Sequence, residues 1–227
     1  APGRTEMGGN HTDHQHGRVL AASVDLDVIA LAAPNGTNTV RVLSEGFKMD
    51  VVDLDRLTPV EEEANHSASL IRGVCAAFAA KGWPVQGFDA YTTSAVLKGS
   101  GLSSSAAFEV LIGNIANHLF AGGAESPVTI AQIGQYAENV FFGKPSGPLD
   151  QMASSVGGVV AMDFADPAAP VVRPLSLDLA GQGYALDPTP PEVAGAGAGS
   201  PRSEFQGRRA PCAKIRESLP VRWQQQR

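Results

Sequence analysis

Apolar positions recur along this chain with two periods, close to two in some stretches and close to 3.6 in others. Residues 19–31 are dense in Val, Leu, Ile and Ala, and Asp25 and Asp27 alternate with Leu26 and Val28, which predicts a strand with one solvated face. Pro34-Asn35-Gly36 is a turn signal; residues 39–43 return as a second strand and 48–54 read as a third. The period then changes. Leu70, Ile71, Val74, Ala77 and Phe78 fall at helical spacing, with Asn65 or Ser67 as the cap and Lys81-Gly82-Trp83-Pro84 as the stop. Glu61, Glu62 and Glu63 before it read as a solvated acidic approach. Residues 86–96 alternate again. A second helix is predicted over 103–120, where Val110, Leu111, Ile112, Ile115, Leu119 and Phe120 make a broad stripe that requires burial, and Gly122-Gly123 ends it. Pro127 opens a third helix reaching about residue 142, and 159–164 and 171–175 read as strands. Residues 1–17, crowded with glycine and polar groups, read as a loop with a short helix near its end.

Composition narrows the class. The chain has 227 residues, 43% hydrophobic and 18% charged, which is ordinary for a globular protein with a sizeable core. A net charge of −6 argues against a large nucleic-acid surface. Cys75 and Cys212 stand far apart with no Cys-x-x-Cys spacing, which fits a reducing compartment. No apolar run suits a membrane span and no signal peptide opens the chain, so the expected location is cytoplasmic, with no nucleic-acid or membrane partner. The residues carry no signal for an oligomeric state. Charge is uneven: residues 1–186 carry −9 and residues 187–227 carry +3. Residues 187–227, with Pro188, Pro190, Pro191, alternating Gly and Ala over 194–199 and Gln224-Gln225-Gln226, show no amphipathic period and read as a low-complexity tail.

Three stretches carry chemistry. The central one is Lys98-Gly99-Ser100-Gly101-Leu102-Ser103-Ser104-Ser105-Ala106-Ala107, a Gly- and Ser-rich segment running into the second helix. Its glycines allow close backbone approach, and the first N–H groups of the helix lack intrahelical acceptors and favour an anion. It is neither a Walker A loop nor a nucleophile elbow, and a flexible turn with a serine cap accounts for it equally. The second is Gly9-Asn10-His11-Thr12-Asp13-His14-Gln15-His16-Gly17, whose donors and acceptors suit a sugar's hydroxyls. Its spacing matches no common metal motif, and a solvated polar loop is the plainer reading. The third is Gly143-Lys144-Pro145-Ser146-Gly147-Pro148-Leu149-Asp150-Gln151, where Asp150 opens a helix either as a cap or as a placed carboxylate.

Residues 101–106 resemble the phosphate loop of the GHMP kinases, a family of small-molecule kinases. Arg4, Gly9, His11, Asp13 and Gly17 fall on the N-terminal signature of the galactokinases within that family. Asn10 stands where most of them have Glu, and His14 where many have Tyr. Residues 143–151 are similar to the galactokinase Gly-x-Pro-Cys/Ser-Gly-x-Met-Asp-Gln motif, with Leu149 for Met, a change of similar volume. The resemblance covers about residues 1–186. It implies an α+β fold, the GHMP-kinase N-terminal lobe, with a mixed sheet and helices packed on one face, and a domain over 1–186 followed by the tail.

The resemblance further implies transfer of the γ-phosphoryl group of ATP, with Mg²⁺, to the C1 hydroxyl of galactose or a related hexose. Asp150 and Arg4 would be catalytic; Asn10, His11, Asp13 and Gly147 would bind the sugar. Gly99, Ser100, Gly101, Leu102, Ser103, Ser104 and Ser105 would hold the nucleotide, and Ser105 with Glu138 would ligate the metal. Some relatives bind sugar and ATP as sensors without turnover, which is the alternative reading. Family members continue with a second domain carrying a third Gly-rich motif, so a truncation or frameshift near residue 186 is expected, and the fragment by itself is expected to be inactive.

Overall fold

The computed structural model describes residues 1–178 and 181–183. The expected tail over 187–227, and the boundary placed at residue 186, lie outside the described residues. Ala1–Ser176 form one compact unit.

The predicted strands appear, two longer than expected, three shorter and one unchanged: β2 spans Arg18–Pro34, β3 Thr39–Ser44, β4 Asp50–Asp53, β5 Phe88–Ser94, β6 Val159–Asp163 and β7 Val171–Leu175. Among the described residues the α-helices are α1 (Ser67–Ala80), α2 (Ser104–Phe120), α3 (Pro127–Tyr136) and α4 (Leu149–Val156). The expectation for the N-terminal residues fails. Residues 2–8 are not loop but a strand, β1 (Pro2–Gly8), paired antiparallel with β2 through Arg4↔Ser23 and Thr5↔Ala22. Its alternation is broken in the sequence by Gly3 and Gly8, and its ladder has register shifts at both ends. Pairing supplies what local pattern lacks. A Cβ on Gly3 would come within 3.1 Å of the Leu102 carbonyl and 3.2 Å of the Val24 and Val96 side chains, so glycine here permits close approach.

The sheet runs β4-β3-β5-β2-β6-β7, with β1 beside β2. β3 and β5 are parallel and the other pairs antiparallel, so the sheet is mixed. The long β2 serves both halves: residues 18–22 pair with β6 and residues 28–34 with β5. Against the β4-β3-β5-β2 half, α1 and α2 bury Ile71, Val74, Phe78, Ile112 and Ile115 on Val28, Val40, Val42, Val52, Phe88 and Ala90. The opposite face of these strands shows Ile29, Leu31, Val51 and Tyr91 to solvent, so the helices do cover one face only. Around β2 and β6 a second core joins Val19, Ala21, Val160 and Met162 to Ala131 of α3 and to Leu149, Met152 and Ala153 of α4. Truncating a fully buried residue such as Phe78 to Ala would cost about 3–5 kcal/mol.

Several local readings are refined. His66, rather than Asn65 or Ser67, occupies the position before α1, and the Ser67 hydroxyl instead donates to Asp50 at 2.6 Å. The third helix does not run as one α-helix to residue 142. It ends at Tyr136 and continues as a π-turn, Ala137–Phe142, a form that accommodates one extra residue per turn and recurs at functional sites. Ser126 caps α3 by accepting the Thr129 N–H at 3.1 Å, with Pro127 first in the helix as expected. Among the described residues, no helix is long and apolar enough to cross a membrane.

Candidate active site

β1, the α2 N-terminus, the π-turn and α4 bring the three motifs together. Arg4, buried on β1, donates from Nε to Asp150 Oδ1 at 2.6 Å and from Nη2 to Asp150 Oδ2 at 2.8 Å, a bidentate pair across 146 residues of sequence. Its other donors reach the Gly101 carbonyl (Nη1, 2.7 Å) and Ser103 Oγ (Nη2, 3.0 Å). Ser103 Oγ in turn donates to Asp150 Oδ2. The Arg4 N–H donates to the Leu102 carbonyl at 3.0 Å, so β1 is laced to the loop by backbone as well as side chain. Burial by itself would raise the Asp150 pKa. The Arg4 hydrogen bonds and charge, then the Ser103 hydroxyl and the charge of His11, outweigh it and hold the carboxyl below its ordinary value.

The serine cap reading does not survive. Ser103 stands at the N-cap of α2 but in a left-handed conformation (φ 57°, ψ 61°), and its side chain caps nothing. A non-glycine residue held there costs on the order of 1–3 kcal/mol and clusters at functional sites. Gly99 and Gly101 also have positive φ (81° and 78°). Ser100 donates to the Leu97 carbonyl at 2.7 Å, Leu102 is buried, and Ser104 opens the helix. Of the loop residues, Gly101, Leu102 and Ser103 therefore bind Arg4, while Ser105 faces the π-turn.

Glu138, buried in that turn, is the hub there. Its Oε1 accepts from Ser105 Oγ at 3.4 Å and from Lys144 Nζ at 2.9 Å; its Oε2 accepts from Ser146 Oγ at 2.6 Å and Gln151 Nε2 at 2.9 Å. The hydrogen bond that Lys144 donates to Glu138, against the cost of burial, raises the Lys144 pKa. Ser105 Oγ and Glu138 Oε1 are adjacent hard oxygens beside a helix N-terminus, and a cationic side chain already rests on one of them. They fit a Mg²⁺ that takes its other ligands from phosphates and water. Among the described residues, no group of three or more His, Cys, Asp or Glu could hold a metal alone.

The signature turn meets α4 one residue before Asp150. Asp13, buried in a 3-10 turn (Thr12–Gln15), accepts the Leu149 N–H at 3.1 Å and so is fastened to the start of α4. Gly147 packs on it so tightly that a Cβ would sit 2.1 Å from Asp13 Oδ2. Asn10 and His11 are exposed, both with positive φ (55° and 50°). Glu6 of β1 accepts the His11 N–H at 2.8 Å and pairs with its ring at 3.2 Å. Glu6, Lys144, Ser146 and Gln151 were not singled out from sequence. The last three stand inside the 143–151 motif, which was the available signal; Glu6 offered none, because its partner depends on the β1–β2 pairing.

Comparisons with known proteins bear on the family and the fold. Residues 69–158 match the GHMP kinases N terminal domain, and residues 1–34 match the galactokinase galactose-binding signature. A galactokinase of Lacticaseibacillus paracasei is 33% identical over 159 residues, 69% of this chain and 41% of that protein. The structure of Lactococcus lactis galactokinase complexed with galactose superposes with a TM-score of 0.70 at 27% identity, covering 79% of this chain and 47% of that one. Methanococcus jannaschii mevalonate kinase shares the fold, with a TM-score of 0.63 at 14% identity over 78% of this chain and 55% of its own. The chain thus spans about two fifths of the length of the curated galactokinases it matches.

Proposed function

The chain carries the GHMP-kinase N-terminal domain with the galactokinase galactose-binding signature ahead of it, which makes it a member of that family, and on this footing we propose that it forms the sugar- and nucleotide-binding half of a galactokinase. The reaction is transfer of the ATP γ-phosphoryl group to the C1 hydroxyl of galactose. The observation that carries the reading is the Arg4–Asp150–Ser103 constellation, in which the signature, the loop and the 143–151 motif meet on one carboxylate.

Asp150 is the group that receives the sugar hydroxyl. Among the described residues its Oδ2 accepts two hydrogen bonds and its Oδ1 accepts one, which leaves acceptor capacity on Oδ1 for an incoming O–H. A carboxylate held ionised by Arg4 is a weak base. That suits a loose transition state, in which orienting the nucleophile and balancing charge matter more than early proton removal. Arg4 fixes Asp150 and sets a positive charge beside the transferring group. The 99–105 segment and the α2 N-terminus cradle the phosphates, and Ser105 and Glu138 would ligate Mg²⁺, which when bound neutralises phosphate charge. Asn10, His11, Asp13 and Gly147 line the sugar side; Asp13 and Gly147 act by holding the signature turn on α4, and Asn10 and His11 present exposed polar groups.

Calorimetric titration of the chain with galactose and with MgATP, and phosphorus NMR for a sugar 1-phosphate in the full-length protein, test this. Galactose binding that is lost in Arg4→Met and product that is lost in Asp150→Asn are expected. Failure to bind either ligand would remove the assignment.

A further inference from the structure

The kinase reading leaves one buried carboxyl without a task. Glu109 on α2 and Gln151 on α4 are both 0% exposed. The amide nitrogen of Gln151 bridges two carboxyls, donating to Glu109 Oε2 at 2.8 Å and to Glu138 Oε2 at 2.9 Å. Turned over, the amide would set its oxygen against both, so the hydrogen-bond network selects this orientation. It leaves two buried oxygens, Glu109 Oε1 and Gln151 Oε1, with no partner if Glu109 is ionised. Buried polar atoms are nearly always paired. One proton resolves both cases at once, because a carboxylic acid gains the donor that the Gln151 carbonyl lacks. Acid and amide would then form a two-point ring: the Nε2–H to Oε2 bond already present, and a Glu109 O–H to Gln151 Oε1 bond that the proton would add. Burial, then the nearby charge of Glu138, favour the neutral acid. The pair also fills its space. A Cβ on Gly134 of α3 would come within 3.2 Å of Gln151 Cγ and Glu109 Cβ and 3.4 Å of Glu109 Oε2.

We infer that Glu109 is a protonated positioning residue. Paired with Gln151, it locks the carboxamide so that the remaining N–H holds Glu138 Oε2, which leaves Glu138 Oε1 turned toward Ser105 and Lys144. The proposal deepens the kinase reading and rests on it for what Glu138 is aimed at. A neutral Glu109 also means that this cluster offers an arriving cation one carboxylate charge on Glu138 rather than two.

The test compares the chain with Glu109→Gln and Glu109→Ala, using MnATP as the probe. Glutamine keeps one donor and one acceptor facing Gln151, whereas alanine keeps neither. At neutral pH the infrared spectrum of the parent chain should show a protonated-carboxyl C=O stretch that Glu109→Gln lacks. Glu109→Gln should bind MnATP within about twofold of the parent, and Glu109→Ala about 10–100-fold more weakly, the usual loss when a group supporting a metal ligand is removed. A parent spectrum without the protonated band, or a glutamine variant as weak as the alanine variant, overturns the proposal. If the alanine variant does not fold, the infrared band and the glutamine affinity still decide. A parent chain that shows the band but binds no MnATP overturns the kinase reading and leaves the acid–amide pair standing.

Discussion

Two arginines in this protein form almost the same bidentate pair in two regions with different roles. Arg4 holds Asp150 at 2.6 and 2.8 Å, and Arg72 holds Glu63 at 2.8 and 2.6 Å; both guanidinium groups are buried. What surrounds them separates the two. Arg72 gives further donors to the backbone carbonyls of Asp53 and Arg56, so it fastens the end of β4 and the segment after it to α1. Arg4 reaches a loop with positive φ at Gly99, Gly101 and Ser103, beside a helix N-terminus. Pair geometry alone therefore does not mark a functional site. Positive φ beside the pair does not mark one either, because Asn65 (φ 63°) stands two residues from Glu63; what distinguishes the first pair is that β1, the loop at the α2 N-terminus and the start of α4 meet on it.

The largest effect expected is on the first pair. In the full-length protein, Asp150→Asn should lower the rate of phosphoryl transfer about 10²–10⁴-fold with galactose affinity kept within a few-fold. Steady-state kinetics with calorimetry check this, and undiminished turnover would reduce Asp150 to scaffold like Glu63. Arg72→Met should do the reverse. It should cost about 3 kcal/mol of stability in urea denaturation, because it leaves Glu63 and two carbonyls without their donor, and it should leave the kcat of the folded enzyme unchanged. A fall in kcat without loss of stability would erase the contrast.

Smaller and opposite pH slopes should follow from two carboxyls near the site. Asp150 has its pKa lowered in the fold, so the folded state holds fewer protons than the unfolded one between the two values. Its contribution is present above the ordinary value of 3.8 and lost as pH falls through the folded value. Glu109 is raised well above 4.5, so the folded state holds more protons, and stability falls as pH rises from 4.5 toward the folded value. Urea titrations at stepped pH should show the acid-side loss flattened in Asp150→Asn and the loss with rising pH flattened in Glu109→Gln. The same slope in parent and variant would dissociate either residue from the effect. Smallest of all should be Arg41→Ser. Arg41 makes a third bidentate pair with Asp89, at 2.8 and 2.7 Å, but on an exposed sheet face where solvent screens it. No resolvable shift in melting temperature is expected; a clear drop would mean that exposure is not what separates the pairs.

Much of this was legible in the chain. The period-two and period-3.6 stretches match strands β2–β7 and α1–α3; Ser105 and Asp150 lie inside the three motifs, whereas Arg4 and Glu138 were reached only through the family resemblance. β1 was not legible, because glycine interrupts its alternation and its extended form is imposed by pairing with β2. Ser103 was misleading. Its type and place suit a cap, yet a carboxylate 47 residues away takes its hydroxyl.

By itself the sequence determined which segments are helical or extended and where loops break them, because those depend on neighbours three or four residues off and on the φ a residue tolerates. It also set the residue types available to the chemistry. Only tertiary structure decided partners: that Arg4 meets Asp150 rather than Glu63, that Asp13 fastens to the Leu149 N–H, and that Glu109 and Glu138 share the Gln151 amide. Such choices are made by burial. A polar group removed from water takes the complementary atom that the packed elements bring within reach, and that atom has no fixed offset along the chain.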